Sequence, residues 1–450
     1  MQKDLTQGKP IKVLLAFTMP MLFGNLFQQL YNVVDTVVVG KFVGEEALAG
    51  VGSSFPIFYL MVALSTGMSM GCSVVISQYL GAERHKEVKL SIYTALITFL
   101  VAGCVMSVFG QFLVNPLLEI LGSPPEIIQY SRDYLMIIIA GIVFAFLYNV
   151  LNAIFTALGD SKTPMVLLII AALINVVLDL YFVIGLGMSV KGVAYATVIA
   201  QAVAALVALY LLWLRLQKLP GKTDKYFNFA MLKKMVRMGI PSTVQQTSLS
   251  IGMLAIQSLV NSFGSIVVAG FTAAQKIDSI AMLPLMSISN ALSTFTAQNI
   301  GANKIERIKE GYLGALKAAF ISSILVSVLV FLFGYQLIGM FVDSVATAQV
   351  FDVGVSYMRV ISLFYFLLGI MFATNGVLRG SGDVRAFLGV TVISLGSRIL
   401  FAYLLSSMFG YMGIVFAIPI GWIAGDVLAV LRYRSGVWKS KAIIKRETAV

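Results

Sequence analysis

The sequence is short of charge. Lys, Arg, Asp and Glu make up 12% of its 450 residues, about half the share of roughly 25% found in soluble globular proteins. So few charges cannot dress a water-exposed surface, which excludes an ordinary soluble protein. Histidine is nearly absent. The one copy, His85, stands in a basic loop, so no zinc cluster can form. No Gly-x-x-x-x-Gly-Lys-Ser/Thr loop is present, which argues against ATP-driven work on this chain. The two cysteines, Cys72 and Cys104, fall in apolar runs and read as small buried hydrophobes rather than a disulfide. No small-residue cleavage pattern follows the first apolar run, which reads as a retained helix and not a signal peptide.

What the chain has is apolar length: 59% of its residues are hydrophobic. Runs longer than about 18 residues, each enough to cross a bilayer core of roughly 30 Å, recur about twelve times. They lie near 12–39, 48–80, 90–114, 127–158, 164–185, 191–214, 232–262, 267–299, 309–335, 350–378, 386–409 and 411–433. The fold class expected is therefore an all-α polytopic membrane protein of about twelve transmembrane helices. The net charge of +12 follows topology and is no nucleic-acid footprint. Lys and Arg crowd alternate loops: Arg84 to Lys89, Lys162, Arg215 to Arg237, Lys304 to Lys309, Arg379 with Arg385, and Arg432 to Arg446. The intervening loops hold only Lys41, Arg132, Lys191 and Arg359. This positive-inside bias predicts a multi-pass protein of the inner or plasma membrane with both termini in the cytoplasm.

The chain also repeats itself at a spacing of about 220 residues. Pro20 meets Pro241, and Ser77-Gln78-Tyr79-Leu80-Gly81-Ala82 meets Ala297-Gln298-Asn299-Ile300-Gly301-Ala302. Leu158-Gly159-Asp160 meets Gly380-Ser381-Gly382-Asp383, and Lys191-Gly192-Val193-Ala194 meets Met412-Gly413-Ile414-Val415. Six spans per half give both halves the same orientation, related by an axis along the membrane normal. The division expected is an amino-terminal lobe at 1–214, a basic cytoplasmic linker at 215–237, a carboxyl-terminal lobe at 238–434 and a basic tail at 435–450. Two such bundles can rock against each other to give alternating access.

Against this apolar background two aspartates stand out, Asp35 and Asp179. A carboxylate in hydrocarbon costs about 3 kcal/mol or more and marks an ion or proton pathway. Gln28, Tyr31 and Asp35 fall at i, i+3 and i+7, one stripe of the first helix, and Asn175 and Asp179 at i, i+4 on the fifth. Counted from the outer ends, Asp35, Asp179 and Thr197 lie at one depth, with Tyr195 close to Thr197 early in the sixth span. Asn149 and Asn152 of the fourth span lie deeper by the same count. Such oxygens suit either Na⁺ or a carboxyl that takes up and releases a proton. The counterpart of the first span in the second half contains Gln245, Gln246 and Gln257 but no carboxylate. The tenth span carries Asn375, and the second half has Lys276, Asp278 and Arg398 inside spans, for which structural pairing is the reading preferred to coupling. Lys276 and Asp278, two residues apart, do not share a helix face. Asp426, near the end of the last span, reads as a solvated end residue. Gly67 and Gly71 lie inside a span and read as helix-packing positions.

Taken together these motifs resemble the multidrug and toxic compound extrusion (MATE) transporters. The resemblance covers nearly the whole chain and rests on Pro20, Gln28-x-x-Tyr31-x-x-x-Asp35-Thr36, the paired Gln78-x-x-Gly81-Ala82 and Gln298-x-x-Gly301-Ala302 ends, Leu158-Gly159-Asp160-x-x-x-Pro164, and Asn175-x-x-x-Asp179 before Gly192-x-Ala194-x-Ala196-Thr197. It implies two pseudo-symmetric lobes around a V-shaped cavity and export of organic cations against Na⁺ or H⁺. The resemblance is closest to the DinF-like and archaeal branch, which implies a coupling site of Asp35, Asn175, Asp179 and Thr197 with Tyr31, Asn149 and Asn152 around it. The carboxylates of the NorM-like branch, in the seventh and tenth helices, are missing here. The function expected is a secondary antiporter for amphipathic, cationic compounds. It needs no cofactor beyond its coupling ion, binds no nucleic acid, performs no enzymatic chemistry and acts as a monomer. The rival expectation is a lipid-linked precursor flippase of the same wider superfamily.

Overall fold

The structure, a computed structural model, describes residues 4–120, 122, 124–221, 223–342 and 348–444; the side chains of 35, 37 and 249–251 lie outside the described set. Among the described residues every long element is a helix. The first half of the chain forms α1 (Pro10–Phe42), α2 (Glu45–Gly81), α3 (His85–Ile120), α4 (Pro125–Ala140), α5 (Ile142–Ala157), α6 (Lys162–Leu180) and α7 (Ser189–Lys218). The second half forms α8 (Phe229–Asn261), α9 (Ser265–Ala281), α10 (Leu283–Gly301), α11 (Ile305–Gly339), α12 (Ala348–Ser362), α13 (Tyr365–Ser381), α14 (Val384–Phe409) and α15 (Tyr411–Arg434). Hydrocarbon offers no partner for backbone N–H and C=O groups, and a helix satisfies them within itself. Large apolar side chains face outward throughout, as with Ile321, Leu325 and Leu332 on α11.

Nine helices are long and apolar enough to cross a membrane among the described residues, and eleven spans result when each of two bent pairs is counted as one. The bent pairs correct the expectation of unbroken runs at 127–158 and 350–378. α4 and α5 meet at 53°, and so do α12 and α13. At the first break Gly141 packs so tightly on Val198 that a Cβ there would stand 2.4 Å from it. The run at 267–299 counts as one span, Ser265–Gly301, with a single turn residue at Met282 between α9 and α10, where Pro284 has no N–H to continue the ladder of α9. The remaining expected span, α8, is a continuous helix but carries Gln245, Gln246, Thr247 and Ser248 in its middle, and it is not among the eleven.

The chain divides into two compact units, Phe23–Thr243 and, in the other, Asp4–Leu22 with Val244–Val450. Both changeovers fall inside helices, two residues beyond Pro20 in α1 and two beyond Pro241 in α8. In the first unit α5 packs on α2, α3 and α7, and α6 pairs with α7. Gly67 and Gly71 of α2 seat the first part of α8: Cβ atoms there would lie 2.5 Å from the Thr243 backbone and 2.4 Å from the Gly239 nitrogen. The packing role read from the sequence for these glycines is borne out. Lys89 donates to the Gly221 carbonyl (2.8 Å), tying the connection before α8 to the start of α3.

The second unit has its own core, from Phe271, Phe295, Tyr357 and Tyr365 to Trp422 and Trp438. Its polypeptide start is strapped to the turn between α10 and α11. Leu5 is fully buried, its N–H donates to Gln298 Oε1 (3.3 Å) and its carbonyl accepts from Asn299 Nδ2 (3.1 Å). Arg307 donates to the carbonyls of Gln7 (3.0 Å) and Gly8 (2.6 Å), and Lys304 to that of Thr6 (2.8 Å). Two of the basic loop residues that signalled topology thus also hold the amino terminus. Elsewhere in this unit α13 lies on α10 with its glycines in register with serines. Cβ atoms at Gly376 and Gly380 would stand 2.7 Å and 2.2 Å from the carbonyl oxygens of Ser289 and Ser293. Gly380→Ala is therefore expected to force the two helices apart and destabilise the protein by about 1–3 kcal/mol. A lowered thermal midpoint of the purified protein would register this, and an unchanged midpoint would contradict it.

Candidate functional site

The polar cluster of the first unit is assembled where α6 ends. Asn175 and Asp179 share one face of α6, as their i, i+4 spacing requires, and Thr197 reaches them from α7. They are 1%, 0% and 6% exposed, in a unit whose outer surface is apolar. With the Asn175 amide turned to satisfy both of its ends, its nitrogen donates to Asp179 Oδ2 (2.9 Å) and its oxygen accepts from the Thr197 backbone N–H (3.2 Å). Immediately after Asp179 the helix widens into a π-turn, Tyr181–Gly185. Such turns are rare and concentrate at functional positions. A buried carboxylate flanked by an amide and a hydroxyl can bind and release a proton, or share a hard cation with neighbouring oxygens.

The other expected members of this site lie as follows. Tyr31 is half-buried on α1 and Gln28 is exposed. Asp35 is on the same helix, but its side chain is outside the described residues. Asn149 donates to Ser65 Oγ (3.3 Å) and so ties α5 to α2. Asn152 Oδ1 is buried with no hydrogen-bond partner. Tyr195 is 42% exposed. The structure therefore joins Asn175, Asp179 and Thr197 by hydrogen bonds and gives Asn149 a different partner.

In the second unit the expected polar residues separate into different surroundings. Lys276 is exposed, with its ammonium over the Phe341 ring (5.7 Å to the centroid). Asp278 is buried and accepts hydrogen bonds from Tyr365 (2.5 Å) and Tyr357 (3.4 Å). Arg398 of α14 acts on Asp278 electrostatically, while its own Nε is buried without a hydrogen-bond partner. Asn375 is buried with Oδ1 unpartnered, and Gln245 and Gln246 are half-buried on α8. Sequence reading missed Tyr357 and Tyr365 as partners of Asp278, since nothing local links positions so far apart in the chain. It also misplaced Asp426. Far from being a solvated end residue, Asp426 is 7% exposed and neither carboxyl oxygen has a hydrogen-bond partner. α15 continues for two more turns beyond it and buries this face against its own unit.

At the ends of the spans, among the described residues, each half carries one buried aspartate gripped by an arginine. Arg215 of α7 donates to Asp160 Oδ2 (2.6 Å), and Asp160 also accepts from the Lys162 and Thr163 N–H groups (3.1 Å each) and the Thr163 hydroxyl (2.8 Å). Arg432 of α15 holds Asp383 with two bonds, of 2.7 and 3.2 Å. Burial alone would raise the Asp160 carboxyl. The donors from Thr163 and the Arg215 guanidinium outweigh it and hold the group below its ordinary value. Among the described residues no cluster of three or more His, Cys, Asp or Glu could hold a metal ion.

Comparison with known proteins agrees with this architecture. A profile described as MatE matches residues 20–182 and again 241–404, at the spacing of the repeat read from the sequence. Over 443 residues the chain is 33% identical to the "Probable multidrug resistance protein YpnP" of Bacillus subtilis (strain 168), covering 97% of this chain and 98% of that protein. It is 26% identical to the "Probable multidrug resistance protein NorM" of Thermotoga maritima, covering 97% and 95%. A solved structure described as the outward-facing conformation of a multidrug resistance MATE family transporter of the MOP superfamily superposes with a TM-score of 0.89 at 28% identity, covering 98% of this chain and all of that one.

Proposed function

The chain belongs to the MatE family of multi-pass membrane transporters, and from that premise we propose that it is a secondary antiporter exporting amphipathic organic cations in exchange for H⁺ or Na⁺. It is a transporter and not an enzyme. The observation that carries the proposal is Asp179, fully buried beside Asn175 and Thr197 at a π-turn in an otherwise apolar unit. A charge so placed is expensive unless an ion or proton visits it. In this reading Asp35 and Asp179 exchange the coupling ion, with Tyr31, Asn149 and Asn152 nearby. Loading the site bends or repacks α1 near Pro20, and substrate is released outward. The protein works as a monomer in the cell membrane with both termini in the cytoplasm. The bodies that move are the two compact units, Phe23–Thr243 and Asp4–Leu22 with Val244–Val450. The flippase reading is not carried further, because both relatives above are named for multidrug resistance.

Ethidium efflux from proteoliposomes, with a pH gradient or a Na⁺ gradient imposed alone, tests this. Efflux driven by either gradient is expected and identifies the ion. Efflux that neither gradient drives would refute the antiport.

A further inference from the structure

Of the buried aspartates, Asp160 and Asp383 face arginines, Asp278 two phenols and Asp179 an amide. Asp426 alone, among the described residues, has both oxygens buried with no hydrogen bond to either. It sits eight residues before Arg434 at the end of α15, about 12 Å along the axis. We propose that Asp426 is a protonation site of the second unit, held as the neutral acid in this conformation and giving up its proton in another.

The surroundings argue for a proton over a metal cation. The phenol on which Asp426 acts electrostatically is Tyr312 of α11. Its hydroxyl is bonded to Thr374 Oγ1 (3.0 Å), which in turn donates to the Ile370 carbonyl (2.8 Å). A phenol whose hydroxyl is already committed is a poor ligand for Na⁺, which needs several free oxygens. Several other ionisable groups on elements packed against α15 have partners of their own. Tyr357 and Tyr365 hold Asp278, Arg379 donates to Ser293 and Asn290, Arg432 holds Asp383, and Lys439 lies over Trp438. Arg398 flanks Gly421, more than a turn away along α15, and acts on Asp278. An ionised Asp426 would therefore be an unpaired buried charge, the costliest arrangement a fold can hold. Were it permanently neutral, Leu would fill the space with less desolvation. A carboxyl here gains its use from ionising elsewhere in the transport cycle.

The inference goes beyond the exchange proposed at Asp179 and has its own readout. Infrared spectra of the full chain in proteoliposomes, taken as pH is raised, test it. The wild type is expected to show a protonated-carboxyl C=O band that is missing from Asp426→Asn, is retained in Asp179→Asn and disappears with rising pH. Three results would overturn the proposal: a band unaffected by Asp426→Asn, a band that persists at every pH, or one that Na⁺ removes at fixed pH. If the Asn variant does not insert, wild-type protein treated with dicyclohexylcarbodiimide serves instead, since this reagent labels protonated carboxyls in membranes. An adduct mapped to the Asp426 peptide that diminishes as pH rises is expected, and its absence would overturn the proposal. Loss of ethidium efflux in Asp179→Asn with the Asp426 band intact would separate the two sites.

Discussion

Asp179→Asn is expected to abolish gradient-driven ethidium efflux while leaving the protein inserted and at least as stable as the wild type. The substitution keeps the shape of the side chain and its place against Asn175. It removes only the charge, and with it the capacity to carry a proton or neutralise a cation. Folding gains little from a buried carboxylate, because desolvation offsets most of its interactions. A residue kept for stability alone would behave in the opposite way, losing thermal midpoint and efflux together. The decisive pair of measurements is efflux from proteoliposomes and the thermal midpoint of the same preparation. Wild-type efflux from the Asn variant would remove Asp179 from the mechanism, whatever the midpoint.

Arg215→Met should produce the largest purely structural loss. It leaves the Asp160 carboxylate, 6% exposed at its side chain, with the Thr163 and Lys162 donors but no cation. Breaking a buried pair from one side costs about 3–5 kcal/mol. The partial exposure of Arg215 (17% at its side chain) reduces the expectation to about 2–4 kcal/mol. The double variant Asp160→Asn with Arg215→Met should recover most of that loss, since no charge is then stranded. The pH dependence has a definite sign. The folded carboxyl lies below its ordinary value of 3.8. Its contribution is therefore fully present above 3.8 and is lost as pH falls through the lower folded value. The acid-side drop in thermal midpoint should shrink in Asp160→Asn. A drop of equal size in both proteins would show that the pair is not its source.

The sequence was most readable where physics acts locally. Hydrocarbon thickness sets the length of each apolar run, so most spans could be counted. The i, i+4 spacing of Asn175 and Asp179 placed them on one face, and depth counting from the outer ends brought Thr197 to the same layer. What escaped was long-range or conformational. Tyr365 meets Asp278 across 87 residues of sequence, and no periodicity announces such a pair. The bends at Gly141 and Leu363 fall inside continuous apolar runs, where composition signals burial in lipid but not direction. Asp426 was misread because distance from a helix end says nothing about which way the side chain faces. Asn149 enters the expected ion site by resemblance, and nothing in the sequence signals that its amide also donates to Ser65 across 84 residues.

The changeovers inside α1 and α8 bear on how such a chain arose. Residues Asp4–Leu22 belong with the second unit and the stretch up to Thr243 with the first, so each half of the sequence lends its opening segment to the other. A half-length ancestor on this plan would leave that segment unseated and be complete only as a dimer exchanging the segment reciprocally, as in domain swapping. Joining two copies end to end would preserve the exchange within one molecule. The duplication would then have inherited a mutual dependence between the halves, and neither could later drift away from its twin.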